Sequence, residues 1–304
     1  LGPIVGRRRR ERAIRAAAEA TGEFRPNAWL VIHPDDRIVF TLDRVEMGQG
    51  TMTSHSMLIA EELEVDPTTI EVEFAVADRR YDHPEFGLQI TGGSSSVRTS
   101  WEQLRHAGAV AREMLRAAAS AELGVPPSEC VASNGTIAHA LTGHTWSYGA
   151  LTRLAAMQPI PDPALKPVEE HTLIGTALDR VDAPLKVDGS GVFGIDVTLP
   201  GLLNAAVIRP PVQGATVASF DAGSAARRPG VKFVVEIPGG VAVVADRYWQ
   251  ARAAAEDVTV SWDGGRPELD TPSMTEELRR LAAQPGKTVR DDGDAESVLA
   301  SAAG

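Results

Sequence analysis

The chain has 304 residues, a formal charge of −11, a hydrophobic share of 43% and an aromatic share of 5%. That length suffices for two domains with separate cores, and an acidic, aromatic-poor composition excludes the basic footprint of a nucleic-acid binder. Cys130 is the only cysteine, which rules out an internal disulfide or an iron–sulfur cluster held by this chain alone, and no apolar run reaches the ~20 residues of a transmembrane segment.

In chain order, Leu1-Gly2-Pro3-Ile4-Val5-Gly6 is short, apolar and lacks a starting Met, in keeping with the tail of an export segment cut away before the numbering begins. Residues 1–24 are therefore set apart as an N-terminal segment, and a periplasmic location is favoured over a cytoplasmic one. The basic run Arg7-Arg8-Arg9-Arg10-Glu11-Arg12 reads as a solvated helix or a disordered end. Residues 28–32 and 38–42 are apolar, β-branched runs parted by Pro34-Asp35-Asp36, the pattern of a β-hairpin. Glu46-Met47-Gly48-Gln49-Gly50-Thr51 then leads into a helix predicted over residues 51–63. Alternation of Ile70, Val72, Phe74 and Val76 predicts a half-buried strand over residues 70–77, and Pro84 and Gly87 mark residues 81–89 as a loop.

Thr91-Gly92-Gly93-Ser94-Ser95-Ser96 precedes a long helix predicted over residues 100–123. Its buried stripe is Trp101, Leu104, Ala107/Gly108, Ala111, Met114/Leu115 and Ala118, with small residues at mid-helix that admit another backbone. Two glycines let the loop approach a ligand, three serines supply hydroxyls, and the free amides of the helix start face an anion. Alone, such a loop reads as a plain turn. Two glycine loops, each between a strand or loop and a helix, point to one extended, phosphate-bearing ligand.

The helix stops at Gly124 and Pro126, and Cys130 beside Val131 and Ala132 reads as inert core. Residues 138–140 and 145–147 suggest a hairpin across Thr142-Gly143, followed by a short helix over 148–157. Pro159, Pro161, Pro163 and Pro167 form a stiff connector, residues 159–182, taken as the domain boundary. Beyond it lie short strands over 192–197, 203–208, 216–220, 231–237, 241–245 and 258–262, with helical pieces over 222–227 and 248–257. The fold class is α+β throughout. Residues 265–304 are a polar connector with one amphipathic segment, 274–283, and the acidic stretch Asp291-Asp292-Gly293-Asp294.

Glu46-Met47-Gly48-Gln49-Gly50, Ala60-Glu61-Glu62-Leu63, Thr91-Gly92-Gly93-Ser94 and Arg105-His106-Ala107-Gly108-Ala109, in this order, resemble the molybdopterin-binding large subunit of the xanthine dehydrogenase/aldehyde oxidase family, in the branch of the isoquinoline 1-oxidoreductase beta subunit. Pro184-Leu185-Lys186-Val187-Asp188-Gly189, Phe193-Gly194-Ile195-Asp196-Val197, Leu199-Pro200-Gly201, Tyr248-Trp249-Gln250-Ala251 and Val260-Ser261-Trp262-Asp263 are similar to the family's hammerhead domain. The resemblance covers about Pro26 to Asp263. It implies a molybdopterin-binding α+β portion over 25–158 and a hammerhead-type α/β domain over 183–264.

From the same resemblance, Gln49 would donate its amide to the pterin or its phosphate, with Gly48 and Gly50 allowing backbone contact. Thr91, Gly92, Gly93, Ser94, Ser95 and Ser96 would wrap the pterin and dinucleotide phosphates. The implied cofactor is molybdopterin cytosine dinucleotide with molybdenum, held by the pterin dithiolene, so no protein metal ligand is expected. The implied reaction is hydroxylation of an N-heteroaromatic or aldehyde carbon with water, with a glutamate of a Gly-Xaa-Gly-Glu motif as base. These 304 residues contain no such motif and no Gly-Gly-Phe-Gly loop. No catalytic residue is therefore assigned here, and partners are expected: a complementary C-terminal chain of the large subunit, a small subunit with [2Fe-2S] clusters, and a small-molecule substrate. A cleaved, split or truncated subunit and a non-catalytic nucleotide-binding or scaffolding module are both open readings.

Other residues have plainer expectations. Glu46 reads as a loop carboxylate organising backbone amides rather than a base, and His55 and His83 as structural or solvent-facing. Arg105 and Arg112, seven apart on one helix, read as snorkelling to solvent more readily than as phosphate ligands. Met47 and Met57 read as gap fillers, and Trp249 and Trp262 as core.

Overall fold

A helix with one apolar stripe must bury it, and in the first unit, residues 1–191, the helices do so around a small three-stranded sheet. The computed structural model describes residues 2–266, 268–290 and 292–302, the first four of them by backbone alone. Leu1, where the expected export remnant begins, Pro267 and Asp291 of the polar connector, and the terminal Ala303-Gly304 lie outside the described residues. Helix α1 (Gly2–Thr21) buries Ile14 and Ala18 and leaves Arg7, Arg8, Arg9 and Arg10 exposed. The basic run is thus a solvated face of a helix that contributes to the core.

Strands β1 (Leu30–Ile32) and β2 (Ile38–Leu42) form the predicted hairpin, with Asp36 of its turn in the left-handed region at φ 69°. Helix α2 (Thr51–Leu63) crosses over to β3 (Ile70–Phe74), which pairs parallel to β2 at the sheet edge. This βαβ unit sends the carboxyl ends of β2 and β3 the same way, the position at which open parallel sheets take ligands. The expected half-burial of β3 holds only at its start: Ile70 is buried, whereas Phe74 is 56% and Val76 74% exposed.

Helix α3 (Ser96–Leu123) begins four residues before the predicted start and ends on Gly124 in the left-handed conformation. Its small-residue centre packs on α2, where a Cβ at Gly108 would lie 2.6 Å from the Ile59 carbonyl oxygen. Strands β4 (Cys130–Ser133), β5 (Thr136–His139) and β6 (His144–Ser147) form an antiparallel sheet, and Ser147 caps α4 (Tyr148–Met157). β4 has no counterpart among the predicted elements. Cys130 is buried, and burial pushes its thiol pKa up, as suits an inert core residue.

The proline-rich residues 159–182 lie on this unit, which continues through the short helix α5 (Ala183–Val187) to Gly191. The division between units therefore falls at residues 191/192 and not within the prolines, because buried carboxylates of α2 bond the segment's backbone.

The second unit, residues 192–304, has the antiparallel order β7 (Asn204–Ile208), β10 (Gly240–Ala245), β9 (Val231–Ile237), and a ribbon of β8 (Ala215–Asp221) with β11 (Thr259–Gly264). Helix α6 (Tyr248–Ala255) turns Ala251 and Ala254 to the sheet, which directs Trp249 outward at 70% exposure, against the expectation of a core residue. Trp262 is half-buried. Residues 192–197 form no strand: a 3-10 turn at Gly194–Asp196, closed by the Asp196 carboxylate on the Phe193 amide, replaces the predicted one. The piece over 222–227 is likewise a single 3-10 turn, Ala225–Arg227. Helices α7 (Thr271–Ala282) and α8 (Ala295–Ser301) bury no residues. The described residues are α+β with small mixed and antiparallel sheets, and none of the helices is long and apolar enough to cross a membrane.

Candidate functional site

A cavity of about 360 Å³ opens at the carboxyl ends of β2 and β3, lined by residues 42–46, 74–75 and 89–91. Both glycine loops meet beside it. The Val45 amide donates to Thr91 Oγ1 at 2.8 Å, which ties the first loop to the second.

Glu46 builds the first loop. Its Oε1 accepts from the amides of Gly48 and Gly50 at 2.8 and 3.0 Å, and its Oε2 from Met52 at 3.0 Å and Thr51 Oγ1 at 3.2 Å. Burial raises the pKa of this carboxyl, and the amides of Met52, Gly50 and Gly48 more than reverse the effect, so the net shift is downward. Glu46 is an organiser of backbone, as expected, with both oxygens engaged by the loop and the first turn of α2. Gln49 accepts from the Met47 amide at 2.6 Å and donates through Nε2 to the Val45 carbonyl at 2.7 Å. An amide nitrogen carries two protons, so one remains for another acceptor. Met47 is 68% exposed at the loop tip and fills no gap. Gly48 and Gly50 are left-handed at φ 103° and 82°, and the space where a Cβ would project is open at both.

The second loop turns through consecutive left-handed residues, Gly93 at φ 62° and Ser94 at φ 52°. Among the described residues, the amides of Gly92, Gly93 and Ser94 donate to no protein acceptor. Ser95 is turned inward: its Oγ donates to the Gly92 carbonyl at 2.7 Å and meets His83 Nε2 at 2.7 Å. The Glu85 amide donates to His83 Nδ1 at 3.1 Å, which places the His83 proton on Nε2, facing Ser95. Ser96 opens α3, and its carbonyl accepts from His55 Nε2 at 3.2 Å. Desolvation lowers the His55 pKa and keeps the ring neutral. Both histidines are fully buried and shape the loop from behind, a structural role that the Gly/Ser pattern alone does not reveal.

Arg105 and Arg112 do not snorkel. They pair with buried Glu62 at 2.7 and 3.3 Å, which removes them from any phosphate. Residues without a sequence signal complete the site. Asp43 and Arg44 form a buried ion pair at 3.1 Å at the cavity wall, with Arg44 Nε and Nη2 and Asp43 Oδ1 lacking protein partners among the described residues. Arg180, distant in sequence, donates to the Gly48 carbonyl at 2.7 Å and to Glu46 Oε1 at 3.2 Å. No cluster of three or more His, Cys, Asp or Glu able to hold a metal ion occurs among the described residues.

Residues 11–182 match the family described as the molybdopterin cofactor-binding domain. The chain is 32% identical over 294 residues to the beta subunit of an isoquinoline 1-oxidoreductase from Brevundimonas diminuta, covering 84% of this chain and 38% of that protein. It is 30% identical over 291 residues to a membrane-bound aldehyde dehydrogenase [pyrroloquinoline-quinone] of Gluconacetobacter polyoxogenes, covering 90% and 37%. It is 33% identical over 279 residues to a nicotinate dehydrogenase subunit of Pseudomonas putida, covering 88% and 23%. The chain thus spans less than two fifths of the length of these relatives. It belongs to the molybdopterin cofactor-binding family and is related to the large subunit of the xanthine dehydrogenase/aldehyde oxidase family. Its site suits such a ligand: three uncommitted amides in the turn that leads into a 28-residue helix match phosphate, and the open faces of Gly48 and Gly50 leave room beside the loop.

Proposed function

We propose that this chain supplies one wall of a molybdopterin cytosine dinucleotide site in a molybdenum-dependent oxidoreductase that hydroxylates an N-heteroaromatic or aldehyde carbon with water. The observation that carries the reading is the Val45–Thr91 bond, which joins two glycine loops beside one cavity at the carboxyl ends of parallel strands. The Gly92, Gly93 and Ser94 amides would bind phosphate oxygens, and the second proton of Gln49 Nε2 would orient the pterin. Gly48 and Gly50 would let the backbone approach it. Phe74 and Ile90 line the cavity with apolar surface that would pack against the bound ring. When bound, the molybdenum centre would supply the oxidation. The base glutamate belongs to sequence outside these 304 residues, and electrons would leave through a small subunit carrying [2Fe-2S] clusters. Residues 183–264 would serve as the hammerhead domain, and an exported, periplasmic enzyme is the favoured setting.

Gly93→Val places a β-branched residue in the left-handed region, where even an unbranched side chain costs about 1–2 kcal/mol. Gln49→Ala removes the two bonds that Gln49 adds across the first loop. Each is expected to lower the molybdenum content of the assembled protein while the circular dichroism and melting of the chain stay near those of the parent. Unchanged molybdenum in both variants would refute the cradle. The relative named for pyrroloquinoline quinone supplies the competing cofactor. That quinone carries no nucleotide, so a cytidine nucleotide released by acid separates the two.

A further inference from the structure

Residues 159–182 contain a single 3-10 turn, Val168–Glu170, and no strand, so most of their amides need partners from outside the segment. Two adjacent carboxylates on α2 provide them. Glu61, whose side chain has no exposed surface, accepts from the successive amides of Thr172, Leu173 and Ile174 at 3.0, 2.7 and 2.9 Å and pairs with the Lys166 ammonium at 3.2 Å. Glu62, equally buried, accepts from the Lys166 amide at 3.1 Å while Arg105 and Arg112 neutralise it. Further along, the Val181 amide donates to Thr53 Oγ1 of α2 at 3.1 Å. Arg180 reaches Gly48 and Glu46 of the first loop, with Asp182 gripping it through two bonds at 2.9 and 2.8 Å. The Glu46 oxygen that Arg180 touches is the one holding the Gly48 and Gly50 amides.

We propose that this segment is a strap that fixes the conformation of the loop over residues 47–50, with Glu61 as its anchor and Arg180 as the positioning residue; the inference rests on reading that loop as a cofactor wall. Three consecutive amides on one buried carboxylate, with the Lys166 ammonium on the same group, set the register of the strap, because sliding by one residue would take the ammonium away from the buried charge it pairs with. The planar guanidinium then closes the loop from its outer side, using two donors on two different acceptors, a geometry an ammonium cannot copy.

Hydrogen exchange of the full chain tests this. In Arg180→Met, the amides of Gly48, Gly50 and Met52 are expected to exchange about tenfold faster or more, with α3 unchanged. Arg180→Lys keeps the charge without the fork and is expected to fall between parent and Met variant. In Glu61→Gln, exchange should rise at residues 172–174 and, through the strap, at the same loop amides. Loop protection unchanged in Arg180→Met, or release confined to 172–174 in Glu61→Gln, overturns the proposal. The Arg180 side chain is 37% exposed, so its variants retain the core and decide the matter even where Glu61→Gln does not fold. Faster loop exchange with undiminished molybdenum content would sink the cofactor reading of the loop and leave the strap standing.

Discussion

Gly108 shows how one missing carbon sets the spacing of two helices. A methyl group there would meet the Ile59 carbonyl oxygen at 2.6 Å and the Leu63 amide at 3.3 Å, both backbone atoms that cannot swing aside. Alanine gains up to about 1 kcal/mol in helix propensity, but overpacking of this kind costs about 1–3 kcal/mol. Gly108→Ala is therefore expected to lower stability in urea denaturation, whereas Gly6→Ala, at an exposed position of α1 with nothing within 4 Å, should raise it slightly. Equal effects at the two positions would contradict the packing account. The small-residue run at 107–109 announces this contact in the sequence, just as Gly48, Gly50 and Gly93 announce left-handed turns. Arg180, His83 and Arg44 carry no such mark. Arg180 finds its loop acceptors 132 and 134 residues away, His83 meets Ser95 across a loop, and Arg44 pairs with its neighbour Asp43 where the fold buries both; a lone Arg or His looks alike on a solvated face and in a buried network.

At the scale of elements, α2 does two jobs: its amino end continues the first loop, and its carboxyl end holds the strap. Burial pushes the Glu61 carboxyl up, yet the Ile174, Leu173 and Thr172 amides and Lys166 outweigh it and hold the group at about 2, below its ordinary 4.5. A depressed carboxyl stabilises the fold above its unfolded pKa and loses that contribution as pH falls from about 4.5 toward 2, a difference of about 3 kcal/mol. Glu61→Gln is expected to be less stable at pH 7 and to show a shallower loss of stability across that acid window, read from urea midpoints between pH 2 and 7. Parallel acid limbs for parent and variant would contradict this. Periodicity predicts α3 and α4 because each buries one clear face, while the first hairpin, buried on both faces, is marked by its continuous apolar runs and Pro34-Asp35-Asp36 turn. Periodicity fails at residues 192–197, where Val192, Ile195 and Val197 are 75%, 84% and 51% exposed and no sheet neighbour receives them. Strand β4 is marked only by the Asn134-Gly135 turn that joins it to β5, both residues left-handed.

For the whole molecule, the order of the Glu46–Gly50 loop, Ala60-Glu61-Glu62-Leu63, the Thr91–Ser94 loop and Arg105-His106-Ala107-Gly108-Ala109 carries the family resemblance, because the combination is specific where each part is common. Substrate and electron acceptor are not written in this stretch, since it spans less than two fifths of each relative. The function proposed above depends on the two tied loops holding a molybdenum cofactor through a nucleotide-bearing pterin. The most direct measurement is molybdenum and acid-released cytidine monophosphate per chain, in protein purified with its accompanying chains from its native host, beside the Gly93→Val variant. Equimolar metal and nucleotide are expected in the parent, with loss of both in a variant that remains folded. Absence of both from the parent, or their full retention in the variant, would contradict the cofactor assignment.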